Sequence, residues 1–327
     1  MISTVETSQL KVPSIRRARG RRHDFLYSFF HAVLKAVLLS AVVIAAAFSS
    51  ADAAIPSSKM ILMRLAKNGG RGTYVVEQEI KFLNASEGQN VLKERWIVQN
   101  AESMRLIVTG MKPGEARWDA IYKDTRKVSS VVDAGSNETK SAGVSGDFLE
   151  PYLYIRSSAK FLDTFIRNKI LPPSAGRPPG KIGNLATYRP APEQAVRLGR
   201  HAGTIAIVFG EPTPIGNSVQ FPGAWIEQDS FLLRKLRFPS QVEMSLAAHA
   251  AAGAGLKLPR ERTITWKPAD KSIDATWSAV VKVTSVKNFP DNAFAPQFQA
   301  TSITPTEAKS AKLPNDPSVR EFYSRFR

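Results

Sequence analysis

The sequence predicts a mainly β fold, an antiparallel sheet with a short helical segment inserted in its middle. Three observations lead there. Apolar and polar residues alternate over successive stretches from Thr73 onward, polar or glycine-bearing connections separate those stretches, and between Asp147 and Asn168 apolar spacings of three and four replace the period of two. The 327 residues are 43% hydrophobic and include no cysteine. This is an ordinary globular composition, and it excludes disulfide scaffolds, thiolate zinc sites, iron–sulfur clusters and cysteine nucleophiles.

Residues 1–53 read as an export signal. Arg16, Arg17, Arg19, Arg21, Arg22 and Lys35 form a basic region, Ala36 to Phe48 is an uncharged, mostly apolar run, and Ala51-Asp52-Ala53 supplies the small residues that a signal peptidase reads, so cleavage is expected before Ala54. The run is shorter than the roughly 20 apolar residues of a membrane span. Two other readings remain: an uncleaved anchor, if the run extends back through Phe29 and Phe30, and a buried core helix. The whole chain carries 45 Lys and Arg against 28 Asp and Glu, and the part beyond residue 53 keeps a net charge of +13. In an exported protein that surplus favours anionic surfaces, lipid head groups first among them. No helix-turn-helix, zinc finger or RNA-stacking motif accompanies the charge, so no nucleic-acid partner is expected.

Along the chain, Tyr74, Val76, Ile80 and Phe82 define a first strand. Leu92, Trp96 and Val98 define a second, and Met104, Leu106 and Val108 a third. Two more are expected at 116–122 and 127–132, completing a meander with one apolar and one solvated face. Phe148, Leu149, Tyr152, Phe161 and Phe165 fall at helical spacings, so one or two helices are expected over about 145–170, broken at Pro151 or Ser157-Ser158. Residues 171–192 are rich in Pro and Gly and read as a connection or lid. Strands resume at 203–209, 224–228, 231–238, 241–246, 262–266 and 276–286, with His249 to Gly255 expected as a loop and 304–327 as a peripheral tail.

There is no G-x-S-x-G, H-E-x-x-H or phosphate-binding glycine loop, and no enzyme is expected. His201 reads as a turn histidine, while Glu77/Glu79 and Asp270/Asp274 read as solvated carboxylates. Beyond residue 53 only His201 and His249 remain, too few for a histidine metal cluster, and nothing points to a cofactor. All five Trp (Trp96, Trp118, Trp225, Trp266, Trp277) lie in expected strands, where an apolar face this rich either packs a dry core or lines a cavity for an acyl chain.

Lys93-Glu94-Arg95-Trp96-Ile97-Val98, Met104 to Gly110, the hairpin Ala224-Trp225-Ile226-Glu227-Gln228-Asp229-Ser230-Phe231 running on to Leu236, and Trp277 to Lys287 together resemble the periplasmic lipoprotein-carrier superfamily typified by LolA, LolB and the sensor RseB. The resemblance covers most of 60–289. It implies an unclosed antiparallel β-barrel over 54–303, wrapped around a helical plug, with an apolar cavity for lipid or lipoprotein acyl chains. An inner-membrane transporter or an outer-membrane receptor would be the protein partner. Trp96, Met104, Leu106, Val108, Trp225, Phe231, Trp266 and Trp277 would form the cavity or the core beneath it, and Phe148, Leu149, Tyr152, Phe161 and Phe165 the plug or lid. A membrane-anchored periplasmic sensor or protein-interaction module of the same fold is the alternative, and a periplasmic hydrolase is the third reading. The chain departs from the family in two ways: it is much longer than a plain LolA, and it lacks the lipidated cysteine of a LolB-type receptor.

Overall fold

Alternation lets one face of a strand be apolar, and among the described residues thirteen strands, most of them patterned in this way, join in a single antiparallel sheet. The computed structural model describes residues 55–85, 90–110, 117–133, 136–176, 196–303 and 313–327. The expected export segment and the connection from 177 to 195 lie outside them. The strands are β1 (Thr73–Phe82), β2 (Val91–Asn100), β3 (Ser103–Thr109), β4 (Arg117–Lys123), β5 (Arg126–Asp133), β6 (Ser136–Gly143), β7 (Val196–His201), β8 (Thr204–Phe209), β9 (Gly223–Glu227), β10 (Leu233–Arg237), β11 (Glu243–Ala251), β12 (Lys257–Trp266) and β13 (Trp277–Phe289). Their spatial order is β6-β5-β4-β3-β2-β1-β13-β12-β11-β10-β9-β8-β7. The first and last strands meet in the middle, β6 and β7 form the two free edges, and the sheet is mainly β and unclosed as expected.

The inner face carries Tyr74, Val76, Ile80, Phe82, Trp96, Val98, Met104, Leu106, Ile207, Phe209, Ile226, Ile264 and Trp266, all at most 1% exposed. Three helices among the described residues cover it: α1 (Ser58–Lys67), α2 (Ser158–Arg167) and α3 (Pro317–Arg325). In α1 the spacing of Ile61, Leu62, Leu65 and Ala66 turns one stripe inward. α2 begins where Ser157 accepts a hydrogen bond from the Lys160 amide, so the Ser157-Ser158 break is an N-cap. None of the described helices is long and apolar enough to cross a membrane.

Several expectations need correction. Residues 317–327 are not peripheral: Val319, Phe322, Tyr323 and Phe326 are at most 1% exposed in the main core. Their spacing is that of a helical stripe, and Asp316-Pro317-Ser318 is a helix start, with the Asp316 carboxylate accepting from the Ser318 amide. β11 runs on through His249 to Ala251, so the expected loop begins only at Ala252. The edge strands β6 and β7 and helix α1 go beyond the expected elements. The outer face is not solvated everywhere either. Residues 290–303 return across it, where Phe298 buries Val75 and Ile97, and the buried pair Arg105–Asp119 (2.6 Å) holds the carbonyl of Ser302.

Candidate functional site

The segment between β6 and α2 builds the site. Glu150-Pro151-Tyr152-Leu153 forms a 3-10 turn, for which Pro151 is preset by its fixed φ. Phe148 then stacks on Tyr122 of β4, with centroids 4.4 Å apart at 15°, and lies 6.2 Å from Trp96. Tyr152 sets its ring edge-on to Phe238 at 5.5 Å, and its hydroxyl accepts from Asn168, the residue that closes α2. Phe165 meets Phe209 at 5.5 Å. Phe148, Leu149, Tyr152, Phe161 and Phe165, the expected plug, thus gather in one cluster.

Beside this plug lies a cavity of about 360 Å³. Tyr122, Val144, Phe148, Pro151, Tyr152 and Ile155 give it an apolar wall, and Lys160, Thr164 and Arg167 approach it from α2. Lys160 pairs with Glu102, which also lines the space. Burial pushes the Tyr152 and Tyr122 hydroxyls upward in pKa, so both stay neutral at any physiological pH.

Beneath the plug sits a knot of buried charges. Glu150 accepts two hydrogen bonds from Arg262 of β12, at 3.0 and 2.8 Å. Glu94 of β2 accepts from Gln78 (2.6 Å), from the Trp96 indole (2.9 Å) and from Arg327 (3.0 Å). Arg327 also lies 3.7 Å from Glu150, and Arg262 donates to Gln78, closing the circuit. The charged side chains are at most 1% exposed. Burial alone would lower the pKa of Arg327, but Glu94 and Glu150 more than offset it and hold it above the ordinary arginine value.

The expected cavity residues do not all meet. Trp96, Met104, Leu106, Val108 and Trp266 are 0–1% exposed and close-packed on the inner face. Trp277 is half-buried, edge-on to Trp266 at 6.1 Å. Phe231, 8% exposed, sits in the β9–β10 turn at a φ of 53°, under the Arg64 guanidinium. Trp225 points the other way. Ala224 and Ile226 face the core, so alternation turns Trp225 outward between Lys235 and Arg237, whose charged groups lie 5.2 and 5.1 Å from its ring. The sequence reading missed Tyr122, Val144, Pro151, Ile155 and Thr164 as cavity wall. Tyr122 keeps the inward register of the expected fourth strand and was legible; the others carry no periodic signal.

No family model and no curated protein matches this chain. Solved structures similar to it include a LolA superfamily protein from Nitrosomonas europaea (9% identity, TM-score 0.42, covering 76% of this chain and 99% of that one). A domain described as an outer membrane lipoprotein-sorting protein from Vibrio parahaemolyticus follows (12%, 0.42, 75% and 97%). A DUF1329 family protein from Desulfovibrio piger is also similar (7%, 0.43, 76% and 99%).

Proposed function

We propose that this protein is a periplasmic, non-catalytic binder or carrier of lipid or lipoprotein acyl chains. The observation that supports this most directly is the cavity of about 360 Å³ between the inner face of the sheet and the plug, with an apolar wall and with Lys160 and Arg167 of α2 beside Glu102 and Asp124 in its polar lining. Ligand pockets span roughly 300–1,000 Å³, so the space suits one chain rather than several. Each methylene buried contributes about 0.8 kcal/mol, enough for a half-buried chain to bind tightly and still be released. The densely packed Trp96 lies beneath Phe148 of the plug, and a larger acyl load would require the plug to lift. The basic n-region and apolar run of residues 16–48 support delivery to the periplasm; N-terminal sequencing that finds a start at or near Ala54 separates a diffusible carrier from an anchored module.

The test is organic extraction of the purified protein followed by mass spectrometry, together with titration of a fluorescent fatty acid. Val144→Trp should fill the cavity and weaken probe binding at least tenfold while leaving the urea midpoint nearly unchanged. Recovery of no lipid with no probe uptake, or undiminished uptake in Val144→Trp, would overturn the reading.

A further inference from the structure

A second cleft, of about 790 Å³, opens on the other side of the segment that leads into α2. Three cationic side chains line it: Lys67 from the last turn of α1, Arg71 from the turn after it, and Arg156 just before α2. No carboxylate belongs to its lining, and neither Lys67 nor Arg71 forms an ion pair among the described residues. Arg156 is half-buried and spends its hydrogen bonds on backbone carbonyls, Gly72 at 2.6 Å and Gly69 at 3.4 Å. Burial lowers its pKa; Tyr74 and the nearby Asp291 only partly counter this. A cleft lined by three cations and no carboxylate attracts an anion, and guanidinium groups suit the oxygens of a phosphate.

The location narrows the anion. Ile155 lines the apolar cavity and the next residue, Arg156, lines the cleft, so the two spaces share one wall. Ser157 and Ser158 then border the cleft, while Lys160 and Thr164 of the same helix border the cavity. The rim also exposes Met63, at 45%, an apolar group beside cations. A ligand reaching both spaces must be apolar at one end and anionic at the other.

We propose that the cleft holds the phosphate of an anionic glycerophospholipid whose acyl chain occupies the adjoining cavity. The inference rests on the acyl-binding reading, and the experiment separates the two. Palmitoyl lysophosphatidylglycerol and monopalmitoylglycerol, which share a chain and differ by the phosphate, compete against a fluorescent fatty acid at low salt. In the wild-type protein the phosphate-bearing lipid should compete at about tenfold lower concentration, as two charge-assisted hydrogen bonds allow. In Lys67→Glu/Arg71→Glu, both positions being exposed, that advantage should vanish while monopalmitoylglycerol competes as before. Equal competition in the wild type, or an advantage that survives the double substitution, overturns the proposal. If neither lipid displaces the probe, the acyl reading fails, and the site is judged by phosphorus NMR of glycerol 1-phosphate. Line broadening that disappears in the double variant sustains an anionic head-group site, and its absence overturns it. Broadening of inorganic phosphate as strong as that of glycerol phosphate, with no lipid preference, would assign the cleft to free phosphate and sink the lipid assignment.

Discussion

His249 stands on β11 where Arg234, Glu227 and Lys257 surround it, its ring 3.2 Å from the Arg234 guanidinium. Burial lowers its pKa first and Arg234 second; Glu227 and a hydrogen bond to the Leu233 backbone pull the other way, and the result is about 4, against an ordinary 6.5. Between those values the unfolded chain binds a proton that the folded protein refuses, so stability falls as pH drops from 6.5 to 4. Because the ring keeps some contact with water, about 1–3 kcal/mol is the expected loss. His249→Gln should flatten urea-melt stability across that window. A further fall below pH 4.5 should remain, where Glu227 and Glu243 take up protons; against burial, their hydrogen bonds and ion pairs to Arg234, Lys235 and Arg237 hold both below the ordinary carboxylate value. An unchanged slope between pH 6.5 and 4.5 in the variant would show that His249 is not held neutral. The position was misplaced in sequence for a local reason: Ala247 to Ala254 offers no polar–apolar contrast, so where β11 ends could not be read from period. Trp225 fails differently, since alternation is visible there but its phase is not, and a tryptophan is naturally assigned inward when its neighbours are an alanine and an isoleucine.

Strands whose inner face is continuously buried announce themselves, which is why β1 to β5, β8 to β10 and β13 were legible within a few residues, while β11 and β12 were each read at about half their length. The edges were not. β6 reads Ser-Asn-Glu-Thr-Lys-Ser-Ala-Gly and β7 Val-Arg-Leu-Gly-Arg-His, and both are specified by pairing to a neighbour rather than by apolar alternation. Helix α3 shows the opposite failure, a readable signal passed over because it lies at the end of a proline-rich stretch. Phe322 packs edge-on against Phe82 at 5.1 Å and near Trp266 at 5.7 Å, Phe326 meets Trp266 at 5.3 Å, and Tyr323 reaches Trp118 at 5.4 Å. The helix therefore fills the inner face at the end of the sheet away from the plug residues Phe161 and Phe165. Phe322→Ala should cost about 3–5 kcal/mol in a denaturant melt, as for a well-packed core aromatic. A cost below about 1 kcal/mol would mean that α3 does not hold this place in solution.

The strand order has a consequence for the whole molecule. Because β1 and β13 pair at the centre, the free edges β6 and β7 are consecutive in sequence, and the chain from 144 to 195 is what joins one edge to the other. The plug residues 148–165 lie within this link between the two edges of an unclosed sheet, and two carboxylates fix the start of the segment. One is Asp147, which accepts from Arg325 of α3 at 2.8 Å and from Ser240 at 2.5 Å. The other is Glu150, gripped by Arg262 at the middle of the sheet and close to Arg327, so three segments distant in sequence meet at one buried carboxylate. Such a knot is costly to break on one side only, because the remaining charge stays buried without its partner, and cheap to replace as a pair. Glu150→Met and Arg262→Met should therefore each cost about 3–5 kcal/mol, while the double variant should cost clearly less than their sum, since each substitution removes the charge the other would strand. Urea melts of the three proteins measure the coupling. Additive costs would show that the two groups do not meet in solution, and with that the plug would lose its anchor to the sheet.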